Sequence, residues 1–248
     1  MKKLIVKVCG LTEPANIEAI RALGVDMLGF IFYPLSPRYV LGKMPPNSMA
    51  GIAAGPQKVG VFVNETVGQI LTTANACGLD ALQLHGQETP EHCNGLRPNF
   101  KVIKAFSIAG VDDFEQTNAY EDACDYFLFD TKGPSHGGNG FAFNWDILDA
   151  YTGRTPFLLS GGIAPGDAEK INALQHPKLA GIDLNSRFES SPGVKDVALL
   201  AEFKPTTSIK YNKLTQPRNM DHPKFQGKSV PSGRHLCSHG RFRCVSVP

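Results

Sequence analysis

"LIVKVCGLTEPANIEAIRALGVDMLGFIF", Leu4 to Phe32, carries the pattern on which the fold turns. "LIVKVC" (4–9) and "DMLGFIF" (26–32) are short runs rich in apolar and β-branched residues. Nearly continuous apolar runs of this length suit strands covered on both faces, as in a parallel sheet. Between them Thr12 is placed to cap a helix whose Ile17, Ile20 and Leu23 face inward, and Gly24 is placed to stop it. Strand, helix and strand in so short a span make a βαβ unit.

The unit recurs down the chain. Further strands are expected at "KVGVFV" (58–63), "ALQLH" (81–85), "KVIKAF" (101–106), "YFLFD" (126–130), "PFLLS" (156–160) and "AGIDL" (180–184). "TVGQILTTANACG" reads as a helix with Thr66 at its start and Gly78 at its end. "APGDAEKINAL" and "KDVALLAEF" supply the last two helices, while those after strands 2, 4 and 6 are weaker. Strict alternation allows a (β/α)8 barrel or a doubly wound open sheet. The count of eight favours the barrel, and its small size implies short loops.

Composition is that of an ordinary globular chain, and no apolar run approaches the roughly 18 residues of a membrane-spanning helix. The apolar run at the N-terminus is short, broken by Lys7 and followed by no small-residue cleavage site, so no signal peptide is expected. Six cysteines without CxxC spacing suit reduced thiols and a cytoplasmic protein. Charge divides the chain in two. Of 25 basic and 23 acidic side chains, nine basic and one acidic lie from Lys204 onward. That leaves 16 basic against 22 acidic, or −6, in residues 1–203, with +8 beyond. Residues 1–203 are therefore expected to form the catalytic barrel and residues 204–248 a basic, disordered extension.

In a barrel the active site lies where the strands end. Here the apolar strands close in Cys9, His85, Asp130, Ser160 and Asp183, and Arg38 follows strand 2. Each has an inert reading: a buried thiol, a hydrogen-bonded histidine, a loop-starting aspartate, a turn that caps the last helix. Gly161 and Gly162 after strand 7 let the backbone approach an anion, with Asn185 and Ser186 after strand 8 opening a helix N-terminus behind it. "DTKGPSHGGNGFAFNW" after strand 6 reads as a glycine-rich lid, and its His136 as solvated.

"KVCGLT", "LGFIFYPLSPRYV", "VGVFVNET", "LQLHG", "LFDT…GGNGFAFNW", "LSGGI" and "PGVKD" occur in this order. Across residues 2–203 the chain resembles the phosphoribosylanthranilate isomerase family. The resemblance implies a barrel of the ribulose-phosphate-binding type and an Amadori rearrangement without a cofactor or a metal. It implies Cys9 as general base, Asp130 as general acid, and Arg38 facing the anthranilate carboxylate. It further implies substrate contacts at Gln83 and His85 and phosphate contacts at Gly161, Gly162, Asn185 and Ser186. The expected partner is the small phosphosugar–anthranilate substrate, with no nucleic acid and no membrane, and the expected state is a monomer or a homodimer.

Two departures stand out. After strand 8 the family's serine pair, glycine and acidic residue are matched by "NSRFE", with Asn185 for the first serine and Arg187 for the glycine. Arg187 either adds charge at the phosphate or tolerates the glycine's backbone conformation. In the tail, "HLCSHGRFRC" fits no standard zinc spacing. A barrel that binds RNA through this basic tail is the competing class, and Cys9, Asp130 and Arg38 together argue against it.

Overall fold

The computed structural model describes residues 4–131 and 145–203. Eight parallel strands form a closed barrel in sequential order: β1 (Ile5–Val8), β2 (Met27–Ile31), β3 (Gln57–Phe62), β4 (Ala81–Leu84), β5 (Lys101–Ile108), β6 (Tyr126–Thr131), β7 (Phe157–Ser160) and β8 (Leu179–Leu184). β1 closes the ring on β8, with Val6 opposite Ile182 and Lys7 opposite Asp183. The barrel expected from the sequence is present, and an open sheet is excluded.

Side chains alternate along each strand, so every strand serves two cores. On β6, Phe127 and Phe129 point outward, whereas Leu128 points into the lumen. Met27, Val59, Ala81, Ile103, Leu128 and Leu158 fill the lumen floor. Two residues further up, the lumen turns polar. Lys7 follows Ile5 and Gln83 follows Ala81 on the inward face, and both are fully buried. One more step brings Cys9, His85 and Asp130 to the upper rim.

The outer layer contains α1 (Pro14–Ala22), α2 (Pro46–Ala50), α3 (Val67–Cys77), α4 (Pro90–Leu96), α5 (Ala168–Ala173) and α6 (Val197–Glu202). β5 and β6 are followed by 3-10 turns, Val111–Tyr120 and Trp145–Ala150. Beside β6 and β7 the outer core is aromatic. Phe129 meets Phe114, Phe127, Tyr151 and Phe157 at ring-centroid distances of 4.7–6.2 Å. Leu200 and Phe203 seal the last helix, and Phe203 sits edge-on to Phe188 at 5.0 Å.

Several local expectations are corrected. α3 is capped as read, with Thr66 accepting from the Gln69 N–H and Gly78 closing its end. Thr12 does not cap α1. Its hydroxyl donates to the Gly193 carbonyl at 3.0 Å, and Glu13 takes the cap position without a side-chain bond. The cap position falls one residue later than read, on Glu13, and the Thr12 side chain is turned to Gly193 instead. Leu23 lies past the last turn and is 37% exposed rather than inward. No long helix starts behind Asn185. A single 3-10 turn, Ser186–Phe188, leads into an antiparallel hairpin of β9 (Glu189–Ser191) and β10 (Val194–Lys195), and Asp196 caps α6. The glycine-rich segment with His136 and the extension from Lys204 lie outside the described residues, apart from Asp130, Thr131 and Trp145 at the former's two ends.

Deleting a fully buried aromatic ring removes its burial and leaves a void. Phe129→Ala is expected to lower unfolding free energy by about 3–5 kcal/mol, and Thr66→Ala, which loses one cap, by about 1 kcal/mol. Urea unfolding of both variants checks the magnitudes and their order.

Candidate active site

At the end of β1, Cys9 is the third inward position after Ile5 and Lys7. The thiol is almost fully buried. A Cβ built on Gly29 of β2 would come within 2.7 Å of its Sγ, so glycine is what gives the sulfur room. Beneath it Lys7 Nζ donates to Asp183 Oδ1 at 2.8 Å, with 0% and 5% of the two side chains exposed. Asp183 is thus neither a rim group nor a turn cap. It faces into the lumen and meets Lys7, which in the sequence stands out only as a break in an apolar run.

Burial pushes the Cys9 thiol up and outweighs the pull of Lys7 and Lys195 in the other direction, and nearby Asp183 adds to the push, so the thiol stays above its ordinary value. Burial likewise disfavours the Lys7 ammonium, but Asp183 and Cys9 outweigh burial and leave Lys7 above its ordinary value. The lysine under the sulfur is therefore a fixed positive charge.

Arg38, from the loop after β2, does not face open solvent alone. Its Nε donates to Glu189 Oε1 at 2.8 Å and its Nη2 to Oε2. Lys195 Nζ donates to the same carboxylate at 2.7 Å and to Asn185 Oδ1 at 2.7 Å. Burial would raise the Glu189 carboxyl, but hydrogen bonds from Arg38 and Lys195 hold it down at about 2. Lys195 belongs to β10, not to the closing helix as "KDVALLAEF" suggested, because the hairpin carries it back over β1. Glu189 uses one edge of the guanidinium. The fork geometry leaves the Nη1–Nη2 edge for a second carboxylate.

Across the barrel, His85 Nε2 lies 3.8 Å from Asp130 Oδ2, too long for a direct hydrogen bond. Gln83 Nε2 is 2.9 Å from His85 Nδ1. With that amide nitrogen donating, the neutral ring carries its proton on Nε2, toward Asp130. Gln83 is buried under His85, and its Oε1 has no hydrogen-bond partner. The loop behind His85 is held by Glu88, which accepts from the Gly86 N–H at 2.9 Å and the Asn64 N–H at 2.8 Å, and pairs with Lys104 of β5 at 3.2 Å. Burial alone would raise the Glu88 carboxyl, yet these partners outweigh it and leave it below the usual range.

After β7, Gly161 and Gly162 both take positive φ, 92° and 66°, which turns successive backbone N–H groups in a way a side chain would strain. β7 and β8 are neighbours, so Asn185 and Ser186 leave the barrel at the same end. Asn185 already accepts from Lys195, which leaves its amide N–H groups as donors. Arg187 is exposed and its φ is not positive, so the 3-10 turn accepts an arginine without strain.

The structure thus gathers Cys9, Arg38 and Asn185 on one side of the mouth and His85 and Asp130 on another. Sequence reasoning missed Lys7, Lys195, Glu189, Glu88 and Lys104. The available signal was strand parity: Lys7 shares the inward face with Cys9.

The profile of the N-(5'-phosphoribosyl)anthranilate (PRA) isomerase family matches residues 6–205. The N-(5'-phosphoribosyl)anthranilate isomerase of Parabacteroides distasonis is 50% identical over 203 residues, covering 81% of this chain and 91% of the relative. That of Phocaeicola vulgatus is 49% identical over 201 residues, 81% and 96% of the two chains. The crystal structure of the Thermotoga maritima enzyme superimposes with a TM-score of 0.70 at 32% identity, covering 81% of this chain and 97% of the other. A phosphoribosylanthranilate isomerase in complex with reduced 1-(o-carboxyphenylamino)-1-deoxyribulose 5-phosphate gives 0.68 at 30% identity, over 81% and 96%. A family model that matches residues 6–205, with relatives matched along nearly their whole length, leaves one assignment: the chain belongs to the N-(5'-phosphoribosyl)anthranilate isomerase family.

Proposed function

We propose that Cys9 and Asp130 are the base and the acid of an Amadori rearrangement that converts N-(5'-phosphoribosyl)anthranilate into 1-(2-carboxyphenylamino)-1-deoxyribulose 5-phosphate. The observation that carries this reading is a thiol and a carboxyl on the inward faces of β1 and β6, both at the rim where the strands end. Asp130 gives a proton to the furanose ring oxygen as the C1–O bond breaks, and the aryl nitrogen lone pair forms the imine. The Cys9 thiolate then takes the proton from C2. Electrons of that C–H bond form the C1–C2 double bond, and the imine becomes an enolamine. Tautomerisation moves the enol proton's equivalent to C1 and leaves a ketone at C2. The ring oxygen has gained the Asp130 proton, C1 the enol proton, and Cys9 the C2 proton; transfer of a proton from the Cys9 thiol to the Asp130 carboxylate through solvent restores both groups, so atoms and charge balance.

Each supporting residue has a physical task in this scheme. The free edge of Arg38 suits the anthranilate carboxylate, and Glu189 fixes the guanidinium before substrate arrives, so less side-chain freedom is lost on binding. Gln83, buried and bonded to His85, acts by orienting that ring against Asp130 rather than by touching substrate. Gly161, Gly162, Asn185 and Ser186 offer backbone and amide donors to the phosphate. We further infer a cytoplasmic location, in keeping with four free buried thiols at Cys9, Cys77, Cys93 and Cys124.

Purified protein mixed with phosphoribosylanthranilate is expected to consume the substrate's fluorescence. General acid–base groups contribute about 10²–10⁴-fold. Cys9→Ser and Asp130→Asn should each lower kcat by about 10²-fold or more with circular dichroism unchanged, and near-native kcat in either variant removes that residue from the chemistry.

Arg38→Lys tests the two-edged guanidinium, which an ammonium cannot reproduce. The variant should weaken binding of the natural substrate more than that of an analogue with aniline in place of anthranilate. Equal losses for the two would mean that Arg38 serves only to hold Glu189.

A further inference from the structure

The lumen below Cys9 holds charges that a barrel core does not need for packing. Lys7 and Asp183 are almost completely buried 2.8 Å apart, where an ion pair contributes little net stability over apolar side chains of the same size. The pair lies immediately below the thiol at the rim. Strand parity puts Lys7 and Cys9 on the same face of β1, and the Lys7 ammonium is the nearby charge that most favours the thiolate. Asp183 is held opposite Lys7 by the β1–β8 register. Its carboxylate sits on the lysine and fixes the ammonium in place.

We propose that Lys7 is a positioning residue for the base: its ammonium, anchored from below by Asp183, supplies the positive charge that keeps the Cys9 thiolate available for proton abstraction. The inference rests on the reading of Cys9 as the base and adds the device that makes a buried thiol usable. A buried thiol without a cation is inert at neutral pH. Other charges face Cys9 from the elements packed on it. Lys195 of β10 adds a second cation, itself held by Glu189 and Asn185. Arg38 lies on the same side and is neutralised by Glu189. Asp183 is the opposing negative charge, and Asp130 belongs to the opposite wall.

Lys7 stands one inward position below Cys9 on the same strand, whereas Asp183 acts from the neighbouring strand, so the cation is expected to outweigh the carboxylate at the sulfur. This difference predicts an order that packing alone would not produce. The thiolate of Cys9 is titrated by its ultraviolet absorbance, as the difference between each variant and the same variant carrying Cys9→Ser. Asp183→Asn should move the thiolate pKa downward from the native value, because Lys7 then faces Cys9 as its remaining anion. Lys7→Gln should move it upward by about 1 or more, the usual scale for a single adjacent charge. The double variant K7Q/D183N, which leaves no unpaired buried charge, should fall between native and Lys7→Gln. The acid limb of kcat/KM should follow the same order. At neutral pH, kcat/KM of Lys7→Gln should therefore fall by about tenfold if the thiolate pKa rises by about 1.

A structural pair would lower stability in both single variants and leave the thiolate pKa unmoved or moved in one direction, and either result overturns the proposal. Should Lys7→Gln fail to fold, the Asp183→Asn and double variants still fix two points of the order, one on each side of native. Failure of the underlying reading looks different. In that case Cys9→Ser keeps its activity and the acid limb of kcat/KM no longer tracks a thiolate order that the absorbance still reports.

Discussion

The Lys7–Asp183 ion pair is the constraint on which the chemistry of the barrel's upper half depends. Two charges removed from water are tolerable only when each finds the other with good geometry. That requirement is met across β1 and β8, the two strands farthest apart in the chain, whose register sets Lys7 opposite Asp183. An apolar floor lies below the pair and the reactive rim above it. The pair is therefore the boundary at which the lumen changes from packing to chemistry.

Around the rim the same device recurs with different partners. Glu189 gathers Arg38 and Lys195, and so ties the loop after β2 to the β9–β10 hairpin. Glu88 gathers Lys104 with the Gly86 and Asn64 N–H groups, and so ties the segments after β3 and β4 to β5. In each case a buried carboxylate substitutes for the regular hydrogen bonding that a loop lacks. The loops that carry Arg38 and His85 are thereby fixed before a substrate binds. Electrostatic preorganisation of this kind is the means by which a site stabilises developing charge with little rearrangement.

Much of this was legible in the sequence. Eight apolar runs separated by helix signals placed all eight strands, most within a residue or two, because a parallel strand buried on both faces must be apolar along its length. The residues that end those runs proved to be the rim residues Cys9, His85, Asp130 and Ser160. Local rules failed where a distant segment competed for the same atom. Thr12 has the chemistry of an N-cap, yet its hydroxyl is taken by Gly193, 181 residues away. Lys195 reads as the start of a helix until the hairpin places it over β1.

What the sequence determines by itself is which face each residue takes, since strand and helix periods are local properties of the backbone. It thereby favoured the barrel over an open sheet and indicated the end of the barrel where the chemistry lies. Which inward residue meets which was decided by tertiary structure alone. Lys7 and Asp183 are 176 positions apart, and Arg38 and Glu189 are 151 apart. Their pairing follows from closure and register, quantities set by the whole ring of strands at once. No period or motif near any one of these four residues encodes its partner, because the energy that selects the partner exists only after the lumen has excluded water.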